Sequence, residues 1–138
     1  MKNILILCTG NSCRSQIAHG YFNKMSNNRC TIYSAGIETH GLNPNAVNTM
    51  LRDNIDISTY TSNNVTEYSD INFDYIITVC DHANENCPNI PSKNALRIHK
   101  NFFDPSKIKN SINPLNDFDK CRNEIKNFSV DFYNKYIN

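Results

Sequence analysis

Residues 3–7, Asn-Ile-Leu-Ile-Leu, form an apolar run with no polar alternation. A strand with one wet face alternates with period two, so this run suits a strand covered on both faces, as in a parallel sheet. The next residues narrow the choice. Cys8-Thr9-Gly10-Asn11-Ser12-Cys13-Arg14-Ser15 is rich in turn formers, and Ile17, Ala18, Tyr21, Phe22 and Met25 then recur at helical spacing. The same unit repeats along the chain. Cys30 to Ser34 reads as a second strand, ended by Ala35-Gly36. Asn43-Pro44 reads as an N-cap with proline at the first helical position, and Val47, Met50 and Leu51 supply that helix's apolar stripe. Tyr75 to Val79 is a third buried strand running straight into Cys80, a short helix follows, and Ala95 to His99 is a weaker fourth strand. From Asp117 onward Phe118, Cys121, Ile125, Phe128, Phe132 and Tyr136 mark a long amphipathic helix. The alternation predicts an α/β three-layer sandwich, a central four-stranded parallel sheet with helices on both faces. We read residues 1–138 as one domain, with 37–43 and 100–116 as its longest loops and no internal repeat.

Composition removes several function classes. Fourteen Lys and Arg against thirteen Asp and Glu leave a net charge of +1 without a basic cluster, which argues against nucleic-acid binding. The hydrophobic share, 39%, is low because 24 residues are asparagine, yet it suffices for a core. No apolar run approaches the ~18 residues of a membrane span. The N-terminal apolar stretch is too short for a signal-peptide core and no small-residue cleavage site follows, so a cytoplasmic location is expected. In a reducing compartment the six cysteines are expected to be buried, catalytic or metal-binding rather than structural disulfides. None forms Cys-x-x-Cys, and no metal or organic cofactor is expected.

Cys8 and Arg14 enclose five residues between a buried strand and a helix, at the carboxyl end of a strand where open α/β sheets place their sites. Gly10 and its neighbours allow Thr9, Gly10, Asn11, Ser12 and Cys13 to turn their amides inward as a nest for an oxyanion. The following helix adds its N-terminal partial charge. Arg14 offers a planar fork to two anion oxygens. That positive field predicts a Cys8 thiolate, to which Ser15 can donate a hydrogen bond.

The octapeptide Cys8–Ser15 resembles the anion loop of the low-molecular-weight tyrosine phosphatase superfamily, and more narrowly that of the thioredoxin-coupled arsenate reductases built on this fold. Tyr33-Ser34-Ala35-Gly36-Ile37-Glu38-Thr39-His40-Gly41 with Asn43-Pro44, Thr78-Val79-Cys80, Asn86-Cys87-Pro88 and Phe103-Asp104-Pro105 extend the likeness almost end to end, in the same order. The resemblance implies that Cys8 attacks arsenate held by Arg14, that Asp104 protonates the departing oxygen, and that Cys80 and Cys87 carry the oxidation away. A phosphatase has no use for two further thiols, whereas a reductase needs a resolving thiol and an outlet for its disulfide. The polar segment Asp81–Asn86 between Cys80 and Cys87 predicts that neither is fully buried. Pro105 restricts Asp104 to extended backbone.

Cys30 and Cys121 are read as packing residues, Cys13 as structural and His82 as solvated. Potassium-binding members of this branch place an Asn, a Glu, a Ser and an Asp where this chain has Asn11, His19, Ser34 and Asn63. Both carboxylates are gone, so Asn11 and Ser34 are expected to brace the anion loop by hydrogen bonds instead. The expectation is a monomeric, thioredoxin-dependent arsenate reductase. A low-molecular-weight protein tyrosine phosphatase is the alternative enzyme, and a redox-sensing or anion-binding module without turnover is the alternative of another class.

Overall fold

The computed structural model describes residues 1–87, 90, 92 and 94–138. Pro88, part of the Asn86-Cys87-Pro88 motif, lies outside the described residues. Four strands, β1 (Lys2–Cys8), β2 (Cys30–Gly36), β3 (Tyr75–Thr78) and β4 (Leu96–His99), form one parallel sheet in the order β2-β1-β3-β4. Four α-helices accompany them: α1 (Arg14–Ser26), α2 (Pro44–Leu51), α3 (Asp81–Glu85) and α4 (Pro114–Phe132). The fold class is the one the sequence predicts.

Burial explains the strand order. Ile4, Leu5, Ile6 and Leu7 are all fully buried, and each such side chain contributes about 1.5–3 kcal/mol relative to an exposed one. A strand with two apolar faces belongs in the middle. β4 is mostly exposed along its length and sits at the edge. Ile4, Ile6 and Cys8 face one core cluster with α1, α2 and α4, where Phe22 packs on Phe132 at 5.0 Å between ring centroids. Leu5 and Leu7 face a second cluster with Val65, Phe73 and Ile76. A short 3-10 helix, Val65–Tyr68, closes that side.

Helix ends follow the cap chemistry. Asn43 accepts from the Asn45 amide ahead of Pro44, and Asn113 accepts from the Asn116 amide ahead of Pro114. The second cap starts α4 three residues before the expected Asp117, and its chain continues beyond Phe132 as a π-turn over Tyr133–Ile137. Leu51 departs from its expected place. It is 48% exposed, while Ala46, Thr49 and Met50 form the buried face. A further 3-10 turn, Pro105–Lys107, lies within the 100–116 loop, capped by Asp104.

Candidate active site

The strand order reverses direction at β1, so a crevice opens between the carboxyl ends of β1 and β3. Register pairs Leu7 with Thr78, which brings Cys8 and Cys80 to that crevice from positions far apart in sequence. Residues 8–14 wrap around it. Their carbonyls turn outward and are satisfied by the surrounding chain. Thr9 O accepts from the Glu38 amide at 2.9 Å, Gly10 O from the His40 amide at 2.9 Å and Ser62 Oγ at 2.9 Å, and Ser12 O from the Asn43 amide at 3.0 Å. Gln16 Nε2 donates to Asn11 O at 3.0 Å. The amides of residues 10–13 donate to no acceptor among the described residues, which is the inward-facing nest an oxyanion requires.

The left-handed residue of this loop is Asn11, with φ of 48°, rather than glycine. Its side chain is fully buried behind the loop, donating from Nδ2 to Ser15 Oγ at 2.8 Å and accepting at Oδ1 from the Asn63 amide at 2.8 Å. Asn11 therefore braces the loop as expected. Gly10 serves a different need, because a Cβ there would lie 2.2 Å from His40 Nδ1. Ser15 Oγ, expected to donate to the Cys8 sulfur, accepts from Asn11 Nδ2, which leaves its own proton to donate. Ser34 also departs from its expected role: its hydroxyl bonds His19 Nδ1 at 2.8 Å rather than the loop. Burial holds the His19 imidazole down at about 4, and its ring packs on Tyr60 at 4.6 Å.

Cys8, Thr9, Gly10, Ser12, Cys13, Arg14 and Asp104 line one cavity of about 140 Å³ together with His40, Ser106 and Lys107. The last three were not anticipated. Lys107 and Ser106 arrive on the 3-10 turn after Asp104, and His40 arrives through its backbone bond to Gly10. Arg14 Nη1 donates to Phe102 O at 2.8 Å and Nη2 lies 3.5 Å from Asp104 Oδ2. Arg14 Nε is buried without a partner among the described residues. Asp104 Oδ1 accepts from the Ser106 amide at 3.0 Å, so the loop's own cap fixes the carboxylate. A larger cavity, about 610 Å³, lies at the opposite end of the sheet beside Arg29 and Tyr133 and contains no cysteine among its lining residues.

Cys8, the expected thiolate, shares its titration with Cys80, and within that pair its pKa is raised. It donates a hydrogen bond to Cys80, it is buried, and Cys80 lies beside it, which together outweigh the opposing Arg14 charge. Cys80 is lowered to about 5, first by the hydrogen bond from Cys8 and then by Thr9 and the Ala83 amide. Thr9 Oγ1 lies 3.3 Å from Cys80 Sγ, and the Ala83 amide donates to that sulfur at 3.4 Å. The two sulfurs titrate as a pair, so their apparent values belong to the pair, and the donors at Cys80 favour its charged form. Cys80 is also only 2% exposed, contrary to expectation, because its sulfur turns inward to cap α3. Cys87 is half-buried, and burial raises its pKa.

Burial likewise pushes Cys13 up and Cys121 up to about 12, and Cys30 is buried too, in keeping with packing roles for all three. His82 is less solitary than its sequence context suggests, since Nδ1 lies 3.1 Å from Thr9 Oγ1, the same hydroxyl that touches Cys80. No group of three or more His, Cys, Asp or Glu side chains among the described residues is arranged to hold a metal ion. No helix among them is long and apolar enough to cross a membrane.

Comparison with known proteins agrees with this geometry. An arsenate reductase of Staphylococcus aureus (strain Newman) is 41% identical over 125 residues, covering 91% of this chain and 91% of its own. An arsenate reductase of Halalkalibacterium halodurans is 48% identical over 106 residues, covering 77% of this chain and 76% of its own. A solved structure of an arsenate reductase in the phosphate binding state superimposes with a TM-score of 0.81 at 25% identity, covering 98% of each chain. Residues 3–134 match the low molecular weight phosphotyrosine protein phosphatase family, and the chain belongs to it.

Proposed function

We propose that this protein reduces arsenate to arsenite by a thiol relay and that thioredoxin restores it. The observation that carries this reading is the meeting of Cys8 and Cys80 over the anion loop, with Cys87 on the same short segment. Phosphoester hydrolysis needs one thiol, whereas transfer of two electrons to arsenic needs a second beside the first. The curated relatives are named arsenate reductases, and their similarity spans most of the chain.

Arsenate sits in the 8–14 loop against the Arg14 fork. A buried donor without a partner costs about 1–3 kcal/mol, and an oxyanion at Arg14 Nε would offset it. The Cys8 sulfur bonds arsenic as its proton passes to Cys80 along their hydrogen bond. Asp104 protonates an arsenic oxygen, which leaves as water. Cys80 then attacks the Cys8 sulfur, its proton passing to an oxygen of the departing arsenic group. The sulfur–arsenic electron pair passes to arsenic, which departs as arsenite, leaving Cys8–Cys80. Cys87 attacks Cys80, forming Cys80–Cys87, and its proton passes to the Cys8 sulfur that is released. The dithiol of thioredoxin reduces that disulfide. The protein acts as a cytoplasmic monomer and needs no metal or organic cofactor.

A slow phosphatase side activity accompanies this reading, because phosphate shares arsenate's shape and charge and Cys8, Arg14 and Asp104 line the same cavity. The test is arsenate-dependent NADPH oxidation with thioredoxin and its reductase, run against a glutathione and glutaredoxin system. Cys8→Ser should form no arsenite. Arsenite from Cys8→Ser, or turnover with glutaredoxin alone, would overturn the scheme.

A further inference from the structure

Cys80 lies between the last residue of β3 and the first residue of α3. Its sulfur is held directly by Thr9 and the Ala83 amide, and the residues on either side of the crossing fix the backbone from which that sulfur reaches out. Register places His99, the last residue of β4, directly opposite Thr78. His99 Nδ1 is 2.7 Å from Thr78 Oγ1, and Nε2 is 2.7 Å from Asp81 Oδ1. A carboxylate has no proton to give, so Nε2–H donates to Asp81, while Nδ1 shares a hydrogen bond with the Thr78 hydroxyl. Both ring nitrogens are occupied, and one imidazole grips the residue two before Cys80 and the residue one after it. The backbone reinforces the grip: the Lys100 amide donates to Thr78 O at 3.0 Å, the Phe102 amide to Val79 O at 3.1 Å, and Asn101 Oδ1 accepts from the Asp81 amide at 3.0 Å. Thr78 and His99 also line, with Asn84, Arg97 and Cys87, a cavity of about 170 Å³. His99 thus stands between the Cys80 crossing and the space beside Cys87.

The helix that this grip holds is incompatible with a Cys80–Cys87 bond. The Asn84 amide donates to Cys80 O and the Asn86 amide to His82 O, so α3 runs over Asp81–Glu85 between a Cys80 N-cap and an Asn86 C-cap. At about 1.5 Å of rise per residue the seven steps from Cys80 to Cys87 span roughly 10 Å along such a helix, whereas a disulfide needs Cα atoms about 4.4–6.8 Å apart. The first turn must open for Cys80 to meet Cys87, and Asp81 is its first residue.

We propose that His99 is a positioning residue of the thiol relay: through Thr78 and Asp81 it holds Cys80 towards Cys8, and it must release Asp81 before Cys80 pairs with Cys87. His99 therefore favours the dithiol over the disulfide. The inference rests on the reading that Cys80 and Cys87 form the final disulfide, and the experiment separates the two. The full chain carrying Cys8→Ser is equilibrated with mixtures of dithiothreitol and its oxidised form, and the Cys80–Cys87 bond is quantified by peptide mapping. Two protein thiols lose two electrons and two protons to the oxidised dithiothreitol. If no Cys80–Cys87 bond forms in this parent, the relay reading itself falls. If it forms, adding His99→Ala should shift the equilibrium about three- to tenfold towards the disulfide, and tenfold corresponds to a potential about 30 mV more negative. Asp81→Asn, which keeps an acceptor oxygen but not the charge, should shift it the same way by less, and it serves where His99→Ala fails to fold. A role in general stability alone would lower urea midpoints of both forms and leave the potential unchanged. An unchanged potential in the folded variants, or a shift towards the dithiol, overturns the proposal.

Discussion

His19 makes the stability of this protein depend on pH in a calculable way. Its imidazole is held at about 4 by burial, against 6.5 when solvated. The unfolded chain therefore binds the proton more readily, and stability rises with pH wherever it does so. The contribution is complete above the unfolded value of 6.5 and is lost as pH falls from there towards 4. At pH 7 the unfolded imidazole is mostly neutral and the loss is only about 0.2 kcal/mol. At pH 5 the unfolded form is almost fully protonated while the native form is not, and the loss reaches about 2 kcal/mol. Carboxylates titrate in the same range, so the measurement is a difference. Urea unfolding of the natural chain and of His19→Gln, which keeps a partner for Ser34 but cannot protonate, should be compared at pH 7 and pH 5. The natural chain should lose about 2 kcal/mol more than the variant between the two. A difference between the proteins that stays constant across that interval would refute the reasoning.

Thr9→Val removes a hydroxyl from beside the Cys80 sulfur. A hydrogen bond to a charged group is worth about 1.5–3 kcal/mol, so the Cys80 alkylation midpoint should rise from about 5 by roughly one to two units, and Thr9→Ser should restore it. Arg14→Lys should lower the rate of arsenite formation about 100-fold, because a point charge cannot replace the fork that also reaches Phe102 O. Asn11 and Ser34 are bonded to protein partners, as are His19 and Asn63, so thermal melts in equal potassium and sodium chloride should coincide. A rise in potassium alone would mean that a cation site has been rebuilt from other ligands.

What the sequence determined by itself was local and periodic. Ile4 to Leu7 announced a strand apolar on both faces, Asn43-Pro44 announced a helix start, and Cys8 to Arg14 announced an anion loop, because each signal lies within a few residues and each has its own chemistry. Leu51 shows the limit even there, since its place on a helical stripe did not decide whether anything would cover it. The electrostatics belonged to the tertiary structure. From Cys8 and Arg14 alone the thiolate falls on Cys8. Only the pairing of β1 with β3 brings Cys80 alongside, with Thr9 and the Ala83 amide as its donors, and makes the two sulfurs titrate as a pair. The occupants of His40, Lys107 and His99 were likewise invisible, for they reach the site through backbone bonds, a 3-10 turn and a strand register that join distant parts of the chain. Sequence period reports which face of an element is apolar. Hydrogen bonds and charges depend on distances of a few ångströms, and those exist only after the elements have packed.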